Sequence, residues 1–225
     1  MGWFLPPGAS TFAGDVDFLY YLILVITGIA FVIVEVALLW FLIKYRARPG
    51  RRAHYTHGSV RAEVVWTAVP AVTVVAIGLL SGGVWNTIKG RSSVPPDALE
   101  YGVIGQQFEW LITHPGPDER LGTADDVELR NELRMPVNRP VVLRLGARDV
   151  IHSFFVPAFR VKQDATPGLT VNVWFQATDT GEYEIACAEL CGLGHYQMGG
   201  KVTVQPADAF AAWVAQTRPT QTAQR

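Results

Sequence analysis

The stretch Cys187-Ala188-Glu189-Leu190-Cys191-Gly192-Leu193-Gly194-His195-Tyr196-Gln197-Met198 places two thiols, an imidazole and a thioether within one short loop. Its two cysteines are the only cysteines of the chain. Soft sulfur ligands combined with imidazole favour copper, zinc or iron–sulfur chemistry, and a methionine thioether beside them favours copper held for electron transfer. The loop therefore predicts a copper site.

Two other interpretations of the loop stay open. Cys187 and Cys191 could form a disulfide, as cysteines do in oxidising compartments, with Met198 filling a core. That interpretation gives His195 no role, and the segment between the cysteines is very short for a bridge. A mononuclear blue-copper site would use one cysteine, one methionine and two histidines, which leaves Cys187 unused. Two thiolates that bridge two copper ions would use both cysteines, so the sequence favours a dinuclear site.

A dinuclear site needs a second imidazole, and the chain has five histidines in all. His54 and His57 lie among arginines and His114 lies at a Thr-His-Pro-Gly turn, so we expect ordinary structural positions for them. His152 differs because it interrupts the apolar run 150–157. A lone histidine in such a run is usually a satisfied core residue, but here the cysteine loop supplies a metal partner. His152 is the predicted second histidine ligand.

These motifs resemble subunit II of the haem-copper cytochrome c oxidases, a family that carries the binuclear copper centre CuA. The loop fits the family pattern Cys-x-Glu-x-Cys-Gly-x-x-His-x-x-Met at every specified position, and Asp149-Val150-Ile151-His152-Ser153 fits the upstream ligand segment. The resemblance covers nearly the whole chain, since Glu-Val-Val-Trp-Thr at 63–67 and Lys-Gln-Asp-Ala-Thr-Pro-Gly at 162–168 also fit.

The resemblance implies a set of metal ligands, which are His152, Cys187, Glu189, Cys191, His195 and Met198. Both thiolates would bridge the two copper ions. His152 and Met198 would complete the coordination of one ion, and His195 with the backbone carbonyl of Glu189 that of the other. The resemblance also implies that the Glu189 carboxylate holds magnesium at the interface with subunit I, and that Glu63 stands at the cytoplasmic mouth of a proton-uptake path.

One segment departs from the family. Residues 106–110 read Gln-Gln-Phe-Glu-Trp and place Phe108 where the family has the tryptophan that accepts electrons next to CuA. Phenylalanine offers a flat apolar contact but no indole N–H. Our hypothesis is that a cytochrome c docks through an apolar patch around Phe108, with Trp110 less directly involved.

Two apolar stretches predict a transmembrane hairpin. Residues 18–43 carry one charge, Glu35, and residues 64–86 carry none, and each stretch exceeds the about 20 residues that cross a bilayer core. Residues 44–62 contain basic but no acidic side chains, so the positive-inside rule places them in the cytoplasm and both termini outside. The first span is too long for a signal peptide, and we expect it to be retained. Glu35 is expected to face a partner subunit, because a carboxylate inside a membrane is costly.

The region after the second span predicts a β domain. Short alternating segments suited to half-buried strands lie at 132–135, 141–145, 171–175, 182–185 and 201–204, and a short helix is expected at 207–216. Such strands favour a β-sandwich or Greek-key barrel, and the resemblance implies the cupredoxin form. The acidic run 115–128 lacks the spacing of an EF-hand loop, so we expect a solvated insertion.

The expected fold class is α+β, with a two-helix transmembrane hairpin followed by an all-β, cupredoxin-like Greek-key domain and a short C-terminal helix. The expected layout is an outer segment 1–16, the hairpin 17–88, a linker 89–98, the CuA domain 99–217 and a tail 218–225.

The resemblance implies one-electron transfer. Reduced cytochrome c outside the membrane would donate to CuA, and a haem of subunit I, where oxygen is reduced and protons are pumped, would accept. The implied partners are subunits I and III, cytochrome c and the lipid of a bacterial inner membrane or an equivalent respiratory membrane. The net charge of −1 and the lack of a basic stripe among the aromatics argue against nucleic-acid binding.

Three other functions have to be separated from this one. A quinol-oxidase subunit II has lost the copper ligands, which are all present here. A nitrous oxide reductase shares the copper loop but lacks this hairpin and has a second, catalytic domain. A mononuclear blue-copper carrier would need neither Cys187 nor the two spans. In the favoured interpretation the chain is part of an enzyme only within a complex.

Overall fold

The computed structural model describes residues 5–90 and 93–217. These residues divide into two compact units, one formed by residues 15–87 and the other by the remaining described residues. The predicted tail, 218–225, lies outside the described residues.

Two long helices make up the first unit. They are α1 (Ala13–Lys44) and α2 (Val60–Lys89), and both are long and apolar enough to cross a membrane. Each extends beyond its predicted apolar stretch because polar residues continue the helix at its ends. α2 starts after Ser59, whose hydroxyl accepts a hydrogen bond from the Ala62 N–H at 3.4 Å. Lysines occupy the last turn of each helix, where a positive charge stabilises the negative end of the helix dipole.

The second unit is a β-sandwich. Its described strands are β1 (Leu99–Gln106), β2 (Glu109–His114), β3 (Val127–Arg130), β4 (Glu132–Pro136), β5 (Pro140–Ala147), β6 (His152–Val156), β7 (Val161–Ala165), β8 (Val171–Gln176), β9 (Gly181–Cys187) and β10 (Gly199–Gln205), followed by α3 (Ala207–Gln216). One sheet has the order β3-β2-β1-β5-β8 and the other β4-β10-β9-β6-β7. The pairs β1–β5 and β4–β10 are parallel and the others antiparallel. The predicted two-helix and β-domain architecture is confirmed, and all five predicted strands are present.

The core lies between the two sheets and is rich in aromatic side chains. Along β1 the buried residues Leu99, Tyr101 and Val103 alternate with more exposed ones, as expected for a strand with one face on a core. The largest fully buried side chains include Trp110 of β2 and Phe154 of β6, whose rings meet edge to face at 5.3 Å. Contacts across the core therefore join β2 to the strand that begins at His152.

The chain before α1 belongs to the β domain. The Ala9 N–H donates to the Ala158 carbonyl at 2.8 Å, and the Ser10 hydroxyl donates to the Phe159 carbonyl at 2.7 Å. Phe12 meets the ring of Trp174 edge to face at 4.6 Å, and the indole N–H of Trp174 donates to the carbonyl of residue 88 at 3.0 Å. Residues 9–12 are therefore packed on the sandwich.

The acidic run forms the loop between β2 and β3. Asp118, Glu119 and Glu128 are exposed. Glu119 forms two hydrogen bonds of 2.6 Å with the Arg139 guanidinium, which lowers the pKa of its carboxyl. The exposure agrees with the predicted solvated insertion.

His114 is a core residue, contrary to the turn suggested by its sequence. It ends β2, is fully buried, and packs edge to face against Tyr101 and Trp213 at 5.3 Å each. Its Nδ1–H donates to the Val127 carbonyl at 3.2 Å, and its Nε2 accepts the Arg134 N–H at 2.9 Å. Burial lowers the pKa of His114 to about 4, so the ring is neutral at pH 7. It thereby links β2 in one sheet to β4 in the other.

His114 should make the β domain sensitive to acid. Its pKa is depressed in the folded state from an ordinary value of 6.5, so its contribution is present above pH 6.5 and lost as the pH falls toward about 4. The difference corresponds to about 3 kcal/mol. We expect the free energy of unfolding of the detergent-solubilised chain, followed by tryptophan fluorescence, to fall over this range.

The matched variant is His114→Phe, which keeps a buried ring but cannot take a proton. It loses two hydrogen bonds and should be less stable than the wild type at pH 7.5 by about 1–3 kcal/mol. Because it lacks the acid-dependent loss, the gap between the two proteins should narrow as the pH falls to 4.5. A gap that is constant across this range would contradict the assignment.

Candidate metal centre

Strand pairing brings the predicted ligands to one end of the second sheet. β6 and β9 are antiparallel, and Cys187 lies opposite Phe154. His152 is two residues from Phe154 and so shares its face of the strand. The Cys187 N–H donates to the Met198 carbonyl at 3.0 Å, which closes the loop 187–198 at the start of β10. The backbone therefore sets His152 beside the cysteine loop.

The side chains of the loop converge on Cys191. Its Sγ lies 3.9 Å from the Sγ of Cys187, 3.6 Å from the Nδ1 of His195 and 3.7 Å from the Sδ of Met198. The Cys187 Sγ lies 3.3 Å from the backbone oxygen of Glu189. Both cysteines are free thiols. These separations match atoms that could share metal ions and exceed a sulfur–sulfur bond of about 2.0 Å.

His152 supplies a test of whether these residues fit a metal. Ligand atoms of His152, Cys187 and Cys191 all lie within 4.8 Å of one another. The ring of His152 is fully buried, and its Nε2–H donates to the Oδ1 of Asp149 at 2.9 Å. The Nδ1 is buried with no hydrogen-bond partner among the described residues. A neutral imidazole that donates from Nε2 has its lone pair on Nδ1, so the residues fit a soft metal ion.

The electrostatics of the site differ between its thiols and its carboxylate. Burial, and next the neighbouring Cys187, raise the pKa of the Cys191 thiol to about 11. Burial by itself would raise the pKa of Asp149, but hydrogen bonds from His152 and from the N–H groups of Gln107 and Val150 lower it to about 2. Asp149 is therefore an anion beside the site, whereas Cys191 becomes a thiolate when a metal displaces its proton.

The structure separates the two aromatic residues proposed as electron acceptors. Phe108 is half-buried and lies over the cysteine loop, where a Cβ added to Gly194 would come 2.5 Å from the ring. Gly192, with φ +136°, passes under the same ring. Trp110 is fully buried and meets His152 edge to face at 6.0 Å. A docked protein could touch Phe108 but not the buried Trp110 ring. An electron could therefore reach Trp110 only through other side chains.

The outer side of the loop is apolar and exposed. Leu190, Leu193 and Tyr196 have 79%, 98% and 81% of their surface accessible. Glu189 is also exposed. The predicted metal ligands include the buried residues Cys191 and Met198. The loop thus holds its sulfur atoms just beneath an apolar surface.

Other predicted residues lie elsewhere. Glu63 is exposed in the first turn of α2, which belongs to the first unit. His54 and His57 are exposed in the segment between α1 and α2, as expected. The sequence analysis missed Asp149 and Gln107 as residues of the site. The position of Asp149, three residues before the predicted ligand His152, was a signal that could have identified it. Nothing in the sequence indicated a role for Gln107.

The chain is similar in sequence to known proteins over most of its length. Residues 1–83 match the family described as cytochrome c oxidase subunit II, transmembrane domain, and residues 103–205 match its periplasmic domain. The chain is 33% identical to the alternative cytochrome c oxidase subunit 2 of Bradyrhizobium diazoefficiens, over 96% of this chain and 84% of that protein. It is 32% identical to cytochrome c oxidase subunit 2 of Cereibacter sphaeroides, over 94% of this chain and 79% of that protein.

A solved structure is also similar. The crystal structure of the periplasmic domain of subunit II of the Bradyrhizobium japonicum cytochrome oxidase is 32% identical, with a TM-score of 0.49. The match covers 54% of this chain and 94% of that one.

The close approach of Phe108 to the loop predicts a packing defect. Gly194→Ala would place a methyl group against the Phe108 ring, and such overpacking should destabilise the β domain by about 1–3 kcal/mol. Thermal unfolding of the metal-free chain, followed by near-ultraviolet circular dichroism, measures this loss. The double variant Gly194→Ala/Phe108→Ala removes the obstructing ring and should recover part of the loss relative to Phe108→Ala alone. If Gly194→Ala lowers the stability by the same amount with and without the Phe108 ring, contact with this ring is not the cause of the loss.

Proposed function

Because the chain belongs to the cytochrome c oxidase subunit II family, we propose that it receives electrons from a cytochrome c at a binuclear copper centre and passes them to a haem in subunit I. Members of this family are parts of haem-copper oxidase complexes, which are oxidoreductases, and the chain is a membrane protein with two spans. The observation that carries the proposal is the approach of two free thiols to 3.9 Å beside the imidazole of His152, whose Nδ1 has no hydrogen-bond partner among the described residues.

The chain's own residues would hold both metal ions in a fixed frame. The residues that would hold the copper pair are Cys187, Cys191, His152, Met198, His195 and, through its backbone carbonyl, Glu189. When bound, the copper pair supplies a site that takes up and releases one electron. Buried ligands, such as His152 on β6 and Cys191 in the loop, would resist movement during that change, and Phe108 covers part of the loop and limits the access of water.

The basic segment 44–62 supports an orientation. Without acidic residues it favours the cytoplasmic side, which places the β domain and the metal centre on the outer side of a bacterial inner membrane or an equivalent respiratory membrane. In this orientation Glu63 lies at the cytoplasmic end of α2, where we infer that it admits protons to subunit I. Glu189, exposed on the loop, is the proposed magnesium ligand at the subunit I interface, since carboxylate oxygens suit this hard cation. Subunit III is the further proposed partner.

Copper stoichiometry tests the proposal directly. The detergent-solubilised full chain, loaded with copper, should bind two ions that share one unpaired electron. Two equivalent nuclei of spin 3/2 give a seven-line hyperfine pattern by electron paramagnetic resonance. Cys187→Ser should abolish this pattern because it removes one bridging thiolate. One copper with a four-line pattern in the wild type would instead establish a mononuclear blue-copper protein, and failure to bind copper would overturn the assignment.

Donor kinetics test the role of Phe108. In the assembled oxidase, Phe108→Ala should lower the second-order rate of reduction by cytochrome c about tenfold or more, because it removes the aromatic contact over the loop. Phe108→Trp restores the aromatic residue usual in the family and should keep or raise the rate. The hyperfine pattern must stay unchanged in both variants, so that a slow rate reflects docking instead of metal loss. An unchanged rate in Phe108→Ala would remove this side chain from the path.

A further inference from the structure

Asp149 connects a predicted copper ligand to the turn that carries Phe108. Its Oδ1 accepts hydrogen bonds from the Nε2–H of His152 at 2.9 Å and from the backbone N–H of Val150 at 2.7 Å. Its Oδ2 accepts the backbone N–H of Gln107 at 2.7 Å. The carboxylate is thus held by three donors from two separate segments of the chain.

The contact with His152 has a chemical consequence at the other ring nitrogen. A carboxylate that accepts from Nε2–H fixes the tautomer and the ring orientation, and it makes Nδ1 a stronger donor to a metal. The Nδ1 of His152 is buried and has no hydrogen-bond partner among the described residues. The negative charge of Asp149 also favours the more positive, oxidised state of a nearby metal pair.

Gln107 extends the connection to the second half of the site. Its side-chain N–H donates to the backbone carbonyl of Cys191 at 2.5 Å. The next residue, Phe108, packs against the glycines at 192 and 194. The turn between β1 and β2 is therefore fixed to the His152 segment by its backbone and to the cysteine loop by its side chains.

We propose that Asp149 is a positioning residue that sets the tautomer of His152 and, through the Gln107 N–H, holds the Phe108 turn against the metal loop. One carboxylate would then control both the reduction potential of the centre and the placement of its donor-facing ring. The proposal rests on the copper-binding function proposed above and extends it to residues outside the ligand set.

Asp149→Asn is the decisive variant, with Asp164→Asn as its matched control. Asparagine keeps one acceptor oxygen for the His152 Nε2–H, but it removes the negative charge and replaces the oxygen that accepts from Gln107 with an amide NH2. The control removes the same charge from Asp164, whose carboxylate accepts a hydrogen bond at 2.7 Å from the buried Ser153. Ser153 follows His152 in the sequence, but Asp164 has no hydrogen bond to a proposed ligand among the described residues. In the copper-loaded full chain, we expect Asp149→Asn to shift the reduction equilibrium about tenfold toward the reduced form, which is about 59 mV for a one-electron couple. The control should shift it far less.

Comparison of Asp149→Ala with Asp149→Asn separates the positioning role of Asp149 from the effect of its charge. Without an acceptor, the His152 ring loses its fixed tautomer and the Gln107 N–H loses its partner. Copper should dissociate at least tenfold faster than from the wild type, and asparagine at this position should restore most of the slow dissociation. Equal dissociation from the wild type and Asp149→Ala would overturn the positioning role, and equal potentials in Asp149→Asn and Asp164→Asn would overturn the electrostatic role.

A metal-free measurement keeps this proposal distinct from the copper assignment. Nitrogen-15 resonances of the imidazole in the unmetallated full chain report which ring nitrogen of His152 carries the proton. We expect Nε2–H in the wild type and a mixture of tautomers in Asp149→Ala. If the wild type binds no copper but this difference is present, the proposed function fails while the tautomer control by Asp149 stands. If copper binds and both proteins show the same tautomer, Asp149 does not position the ring.

Discussion

The pairing of β9 with β6 on one side and β10 on the other is the constraint on which the metal centre depends. Cys187 is the last residue of β9, and the hydrogen bond from its N–H to the Met198 carbonyl closes the loop. The β6 pairing places His152 beside this closed loop, on the face that Phe154 shares. The proposed ligands, although distant in sequence, thus become neighbours through main-chain hydrogen bonds.

A frame of this kind suits electron transfer because it limits ligand movement. The ligand set includes buried atoms, such as the Sγ of Cys191 and the ring of His152, which a close-packed interior holds in place. The aromatic core behind them, including Trp110 and Phe154, continues this packing across the sandwich. The buried Trp110 therefore supports His152 from within, whereas Phe108 covers the loop from outside.

The sequence predicted the features that depend on local pattern. Long apolar stretches defined α1 and α2, alternating segments located β4, β5, β8, β9 and β10, and the sulfur and imidazole ligands of the cysteine loop indicated copper. It was less informative where long-range contacts decide the structure. β6 reads His-Ser-Phe-Phe-Val, without the alternation of polar and apolar residues that identifies a half-buried strand. His114 precedes a proline and glycine yet is buried, because Val127 and Arg134 satisfy both of its ring nitrogens. Gln107 acquires its role only when the turn between β1 and β2 meets the loop 187–198.

The exposed apolar side chains of the loop are explained by the proposed electron transfer, as is the fixed position of the proposed ligands. Electrons move efficiently only over short distances, so a centre that exchanges them with other proteins has to lie close to the surface. Leu190, Leu193 and Tyr196 then stand in water while Cys191 and Met198 behind them are buried. Several exposed apolar side chains on one short loop are typical of surfaces that another protein covers. Glycine at 192 and 194 lets Phe108 lie directly on the loop, which shortens the path from that surface to the ligands. The proposed ligands are thus held in place beneath Phe108, and the hydrogen bonds of Asp149 connect the ligand His152 to the turn that carries Phe108.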